Sequence, residues 1–104
     1  MILELRDEIL RLQGYAVNST VQVQDALRLF KQHPYDLVLI DVEGDGRAEQ
    51  AEQLCADIKE IVPDQKVAFV CNYRVAIDTD CPDEIIRAEF NPQALVNGVN
   101  HLMA

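Results

Sequence analysis

Over the first dozen positions, apolar residues recur at helical spacing: Ile2, Leu5, Ile9 and Leu12 stand among charged neighbours. That spacing predicts a helix covering the domain with one face. Gly14 follows, where a residue able to enter the left-handed region closes a helix. Tyr15 to Ser19 reads as a short strand, and Ser19 or Thr20 is placed to cap a second helix, whose Val23, Ala26, Leu27 and Phe30 share a face. Pro34 ends it. The pattern then changes: "DLVLIDV" and "KVAFVC" carry apolar runs without alternation. A strand with no polar face is buried on both sides, as in the interior of a parallel sheet. Between these runs a third helix turns Ala51, Leu54, Cys55, Ile58 and Val62 inward and stops at Pro63. "DEIIRAEF" holds a short further strand. Asn91 and Pro92 make a helix start, Asn as cap and Pro at the first position, with Leu95, Val99 and Leu102 as the inner stripe.

Strands alternating with helices predict an α/β domain, a parallel sheet flanked by helices on both faces through right-handed crossovers. In such sheets functional groups collect at the carboxyl ends of the strands. Asp41, Cys71 and the turn after Ile86 lie at those ends.

Composition narrows the classes of function. The 104 residues suffice for a single domain, residues 1–104, and a hydrophobic content of 49% supports a packed core. Eighteen acidic against nine basic residues leave a net charge of −9, which repels nucleic-acid backbones and anionic membranes. Cys55, Cys71 and Cys81 form no CxxC pair, and "MILELRDEILRLQG" is too charged for a signal segment or membrane span. The expectation is a soluble cytoplasmic protein with free thiols. There is no phosphate-cradling glycine loop and no nucleophile elbow. "DVEGDG" lacks the oxygen spacing of a calcium loop and reads as an acidic turn. His33 beside Pro34 suits a helix end, and His101 has no second ligand within reach in the sequence.

With these segments in order, the chain resembles a bacterial response-regulator receiver domain, the flavodoxin-like module of two-component phosphorelay signalling. "LRLQGYAVNSTVQVQDALRLFKQHPYDLVLIDV" and "FNPQALVNGVNHLM" carry the likeness, which covers nearly the whole chain. The resemblance implies that Asp41 holds the phosphoacceptor position and that a histidine kinase is the phosphoryl donor. It also implies a magnesium ion bound by Asp41, by the backbone carbonyl of Glu43 and by an acidic pair ending the family's first strand. That strand is absent here, because the chain begins inside the first helix. A Thr or Ser ending the fourth strand is replaced by Cys71, whose thiol is a weak donor. Aligned on Phe90, the family's Lys–Pro is replaced by Ala88 and Glu89. The twelve residues of "NYRVAIDTDCPD" leave the fourth helix shortened or absent.

Phosphoryl transfer rests on positioning and on neutralising charge. The expectation is therefore a degenerate pseudo-receiver, not an enzyme and without a cofactor, acting through protein–protein contact. The alternative is a phosphoaccepting receiver, with Asp41 and magnesium, whose first strand is truncated from this chain. A flavodoxin-like ligand binder is a weaker third reading. In the family the first strand lies between the second and third, so its absence would open a gap bordered by unpaired strand edges. The second strand could close up, the start could lie upstream, or two chains could pair. Homo-oligomerisation through exposed sheet edges is the expectation, with partners among signalling proteins.

Overall fold

The computed structural model describes residues 3–42, 48–71, 77–88 and 91–104. Helices α1 (Leu3–Leu12) and α2 (Val23–Gln32) precede strand β1 (Val38–Val42). Then come α3 (Ala48–Ile61), β2 (Val67–Cys71), β3 (Glu84–Arg87) and α4 (Pro92–Met103). The three strands form one parallel sheet in the order β1-β2-β3, with Val42 opposite Cys71 and Cys71 opposite Arg87. The flavodoxin-like arrangement expected from the alternation of elements is present, with helices on both faces.

Side chains leave a strand on alternate faces, so the central strand divides the core in two. Val67, Phe69 and Cys71 point to one layer, with Phe30 of α2 and Ala51, Leu54, Cys55 and Ile58 of α3. Ala68 and Val70 point to the other, with Leu10 of α1, Ile86 of β3 and Leu95 and Val99 of α4. All five residues of β2 are buried, as its unbroken apolar run requires. At the α4–β3 contact, Gly98 lets the helix approach closely: a Cβ there would lie 2.7 Å from Cγ1 of Ile86. The cap of α4 forms as its sequence predicts, Asn91 accepting from the backbone N–H groups of Gln93 and Ala94 with Pro92 at the first position. Gly14, φ +95°, closes α1 in the left-handed region.

Three local expectations change. Tyr15–Ser19 is not a strand: its backbone joins no ladder among the described residues, and it is tied down through Tyr15 N–H on Leu10 O and Arg11 on Val17 O. A strand needs a neighbour at pairing distance, and the partner this segment would take, β1, lies across a cleft that both line. Helix α2 starts at Val23 without a side-chain cap. The Ser19 hydroxyl is engaged with Asp7 of α1, and Thr20 accepts from the Gln22 N–H. Helix α1 is also rotated from its expected face. Leu5 and Leu12 are 45% and 76% exposed, while Arg6, Asp7 and Leu10 are buried. Burying two charged residues is tolerable only with partners, and they have them: Asp41 for Arg6 and Ser19 for Asp7.

Between β2 and β3, residues 77–83 contain no helix, in line with a shortened or absent fourth helix.

Candidate functional site

The carboxyl ends of the three strands bring together residues far apart in sequence. Asp41 lies in β1, one residue from its end, and Cys71 ends β2. Arg87 ends β3 and sits opposite Cys71 in the ladder, its guanidinium donating to the Cys71 Sγ at 3.7 Å. Ala88 follows, buried, with its N–H donating to the Cys71 carbonyl at 3.1 Å. From the other side comes Arg6 of α1, whose guanidinium lies 3.3 Å from an Asp41 carboxylate oxygen.

The burial of that pair is lopsided. The Arg6 side chain is 10% exposed and that of Asp41 30%, so the cation is inside and the anion at the rim. The Arg6 Nε is buried and has no hydrogen-bond partner among the described residues. Such an atom costs desolvation without return.

Of the positions singled out from sequence, Asp41, Cys71 and Ala88 therefore do converge on one end of the sheet. Glu43, named for its carbonyl, and Glu89 lie outside the described residues. Two residues at this end were missed, Arg6 and Arg87. Arg6 was hidden because α1 was assigned the wrong face. Arg87 was hidden because the receiver resemblance concerns the next two positions, Ala88 and Glu89. The signal that could have found it is the parallel register, which sets the last residue of β3 directly beside Cys71.

The thiols differ in accessibility. Burial pushes the Cys71 thiol up, the nearby Asp41 carboxylate adds to this, and Arg87 opposes it. Burial, then a hydrogen bond with Cys81, pushes Cys55 up to about 12. Cys81 is half-buried, in the loop before β3. Because the thiolate is the nucleophile, a thiol-specific reagent at neutral pH should modify Cys81 first. Peptide mapping of the folded protein after brief alkylation is expected to find label on Cys81 and almost none on Cys55 or Cys71; all three react once urea unfolds the chain.

No sequence-family model matches the chain, and no curated protein matches it at a significant level. By structure the chain is similar to response regulator TrrA of Thermotoga maritima, solved with Mg2+ and BeF. The TM-score is 0.79 at 27% identity, covering 95% of this chain and 87% of that one. It is equally similar to a chain of the T. maritima complex of histidine kinase ThkA with TrrA, at TM-score 0.80 and 27% identity, covering 97% and 88%. The receiver domain of Brucella abortus NtrX superposes with TM-score 0.75 at 17% identity, over 96% of this chain and 88% of that one. The fold is that of a response-regulator receiver domain.

The donor set of this receiver-type site can be tested against the magnesium ion of receiver chemistry. Magnesium needs hard oxygen ligands in octahedral array and binds through one or two carboxylates plus water and phosphate oxygens. Here one carboxylate, Asp41, is already held by a guanidinium, and a second guanidinium lies beside Cys71. Among the described residues no three His, Cys, Asp or Glu side chains cluster so as to hold a cation. Among the described residues, this end of the sheet offers one paired carboxylate beside two guanidinium groups, a donor set that suits an anion better than magnesium. No helix among the described residues is long and apolar enough to cross a membrane.

Proposed function

We propose that this chain is a pseudo-receiver of two-component signalling, a domain that works by protein–protein contact and does not transfer a phosphoryl group to its own aspartate. The observation that carries this reading is the Arg6–Asp41 ion pair. A carboxylate attacks phosphorus with a lone pair on one oxygen, while its other oxygen would help to hold a metal that neutralises the transferring phosphoryl group. A guanidinium at 3.3 Å draws on the same lone pairs and keeps a divalent cation away by charge repulsion. Cys71 adds to the effect: where a hydroxyl would donate to the phosphoryl group, a buried thiol offers only a weak donor, its sulfur accepting from Arg87.

The expected result is direct. Incubation with acetyl phosphate and Mg2+ leaves the intact mass unchanged, under conditions that modify an active receiver run in parallel. An adduct of one phosphoryl group, lost in Asp41→Asn, would overturn the pseudo-receiver reading and establish the alternative, Asp41 as phosphoacceptor with magnesium.

The partner class is signalling proteins, and a histidine kinase is the leading candidate. One structural neighbour is a chain of a kinase–regulator complex, and docking to a kinase does not itself require chemistry at Asp41. The cytoplasm is the compartment in which such a partner would meet this acidic domain with its three free thiols. Homo-oligomerisation belongs to the proposal as well. Both edges of the three-stranded sheet, β1 and β3, have only one neighbouring strand among the described residues. Light scattering at micromolar concentration tests it: a monodisperse monomer removes self-association and leaves the hetero-partner reading in place.

A further inference from the structure

The loop before β3 is fastened to α3 at two points. Lys59 Nζ lies 3.2 Å from an Asp83 carboxylate oxygen. One helical turn earlier, Cys55 shares a hydrogen bond with Cys81. Cys55 and Lys59 stand one turn apart on the same face of the helix, and that face looks toward the loop. The ion pair thus supports the thiol contact independently. Asp83 also holds β2 through both backbone groups of Val67: its N–H donates to Val67 O at 2.7 Å, and its carboxylate accepts from Val67 N–H at 2.9 Å. Between this anchor and the thiol stands Pro82, whose ring fixes φ and biases Cys81 toward an extended backbone. On the other side, Cys81 N–H donates to Thr79 Oγ1 at 3.2 Å. Cys81 is held over α3 from both directions.

The two thiols differ in access. Cys55 is fully buried in the layer between the sheet and α3, and the half-buried Cys81 packs against that same layer. An accessible thiol in contact with an inaccessible one is the arrangement of an attacking and a resolving cysteine. Bringing hydrogen-bonded sulfurs to a bond of about 2 Å asks for side-chain rotation, which a loop position allows. The third thiol, Cys71, is buried at the end of β2, its sulfur accepting from Arg87.

The surroundings select the reagent. Asp78, Asp80, Asp83 and Glu84 all lie within three positions of Cys81. This field repels an anionic disulfide such as oxidised glutathione and is indifferent to a neutral peroxide.

We propose that Cys81 and Cys55 form a reversible disulfide under hydrogen peroxide, with Cys81 as the attacking thiol and Cys55 as the resolving one, clamping the loop before β3 to α3. In the first step the Cys81 thiolate attacks one peroxide oxygen. The O–O bond breaks, hydroxide leaves and takes a proton to become water, and Cys81 is left as a sulfenic acid. In the second, the Cys55 thiolate attacks that sulfur. The S–O bond breaks, hydroxide again leaves and becomes water, and the S–S bond forms. The two thiols have lost two electrons and two protons, and the peroxide has taken up both to become two waters. Burial, and after it the hydrogen bond and charge of Cys81, keep Cys55 protonated in the reduced protein. The first step removes that charge, while the Lys59 ammonium stays beside Cys55 to favour its thiolate against the smaller effect of Asp83. The order of the steps is built into the pair. This inference goes beyond the protein-contact reading, and a phosphoryl adduct on Asp41 would leave it standing.

The test uses the full chain, reduced and then treated with hydrogen peroxide in small molar excess. The expected product is a chain lighter by about 2 Da, the two hydrogens lost, which returns to its starting mass with dithiothreitol. Its peptide map without reductant joins the Cys55 and Cys81 peptides and leaves Cys71 free to alkylate after unfolding. The urea midpoint of the oxidised chain should rise, since the crosslink constrains the unfolded state. In Cys55→Ser, dimedone should trap a sulfenic acid on Cys81; in Cys81→Ser, Cys55 should remain a thiol over the same period. If Cys55→Ser does not fold, the map of the unaltered chain decides the matter alone. Oxidised glutathione should form the bond more slowly, and the gap should narrow as salt screens the acidic loop. A bond to Cys71, a bond between chains, or sulfinic acid on Cys81 beside a reduced Cys55 would overturn the pairing. So would a Cys55–Cys81 bond that forms no faster in the folded chain than in urea. A midpoint no higher than that of the reduced chain would overturn the clamp, and equal rates with peroxide and oxidised glutathione at low salt would overturn the choice of oxidant.

Discussion

Phe69→Ala should leave the domain barely folded. Phe69 is fully buried in the middle of the central strand, paired on one side to Ile40 and on the other to Ile85. Its ring enters the layer shared with α2 and α3, which joins Phe30, Leu54, Cys55 and Ile58 into one cluster. Removing an aromatic ring from such a site loses its transfer free energy and leaves a cavity that the flanking strands cannot close. The cost is about 3–5 kcal/mol. A domain of this length has a total stability on the order of 5–15 kcal/mol, so the loss is a large fraction of the whole. Urea denaturation followed by circular dichroism should show the midpoint fall sharply with little change in slope. The control is Leu12→Ala. Leu12 is 76% exposed and should move the midpoint by no more than about 0.5 kcal/mol equivalent. If the two variants behaved alike, the division of the core by β2 would be wrong.

That contrast also shows what hydrophobic pattern can and cannot reveal. Phe69 was legible as core from "KVAFVC", because an unbroken run excludes a solvent face wherever the strand sits. The inner stripes of α3 and α4 were legible for the same reason: four of the five α3 positions are buried and the fifth, Val62, packs against the same layer. Leu12 was misread. A stripe at helical spacing gives the period of a helix, but its orientation is settled by what the helix lies on. In α1 the partners are Asp41 and Ser19, side chains that no local window contains, so the buried face carries Arg6 and Asp7 and two leucines face water. Tyr15–Ser19 failed in a related way. Its composition suits a strand, yet a strand exists only as one side of a ladder, and pairing is a property of the tertiary fold.

The candidate site was half legible. Asp41 and Cys71 were found because strand carboxyl ends in a parallel sheet are marked by where apolar runs stop. The cations beside them were not, because a guanidinium acts through its position in space. Arg87 reaches Cys71 through register and Arg6 reaches Asp41 across the layer from a helix more than thirty residues upstream. The sequence shows only a net charge of −9, with no cation near Asp41 in the chain. The structure places one guanidinium on Asp41 and a second beside Cys71. On the proposed reading, the barrier to phosphoryl transfer is accordingly the ion pair that already holds the aspartate.

An occupied aspartate should be structural, and Asp41→Asn should destabilise the domain by about 2 kcal/mol. Replacing the carboxylate by an amide keeps the volume and removes the charge that compensates Arg6, leaving a buried guanidinium without a counter-ion; loss of a charge-assisted contact costs about 1.5–3 kcal/mol. The full penalty of a broken buried pair is not expected, because the Asp41 side chain is 30% exposed and solvent can reach the gap. The reverse change should be milder. Arg6→Met removes the guanidinium together with its buried unpaired Nε and fills the space with an apolar chain of similar length. Asp41, at the rim, can then hydrate. A buried ion pair replaced on its buried side by a well-packed hydrophobe is often neutral. The expected order in urea denaturation is therefore unaltered chain close to Arg6→Met, with Asp41→Asn clearly lower. In Arg6→Met/Asp41→Asn the asparagine should cost little, since the cation it left uncompensated is gone; the double-mutant cycle isolates that coupling. An aspartate kept for phosphoryl transfer and not needed by the fold would give the opposite sign. Asp41→Asn would then leave stability unchanged or raise it, and the Arg6 contact would be no obstacle to modification.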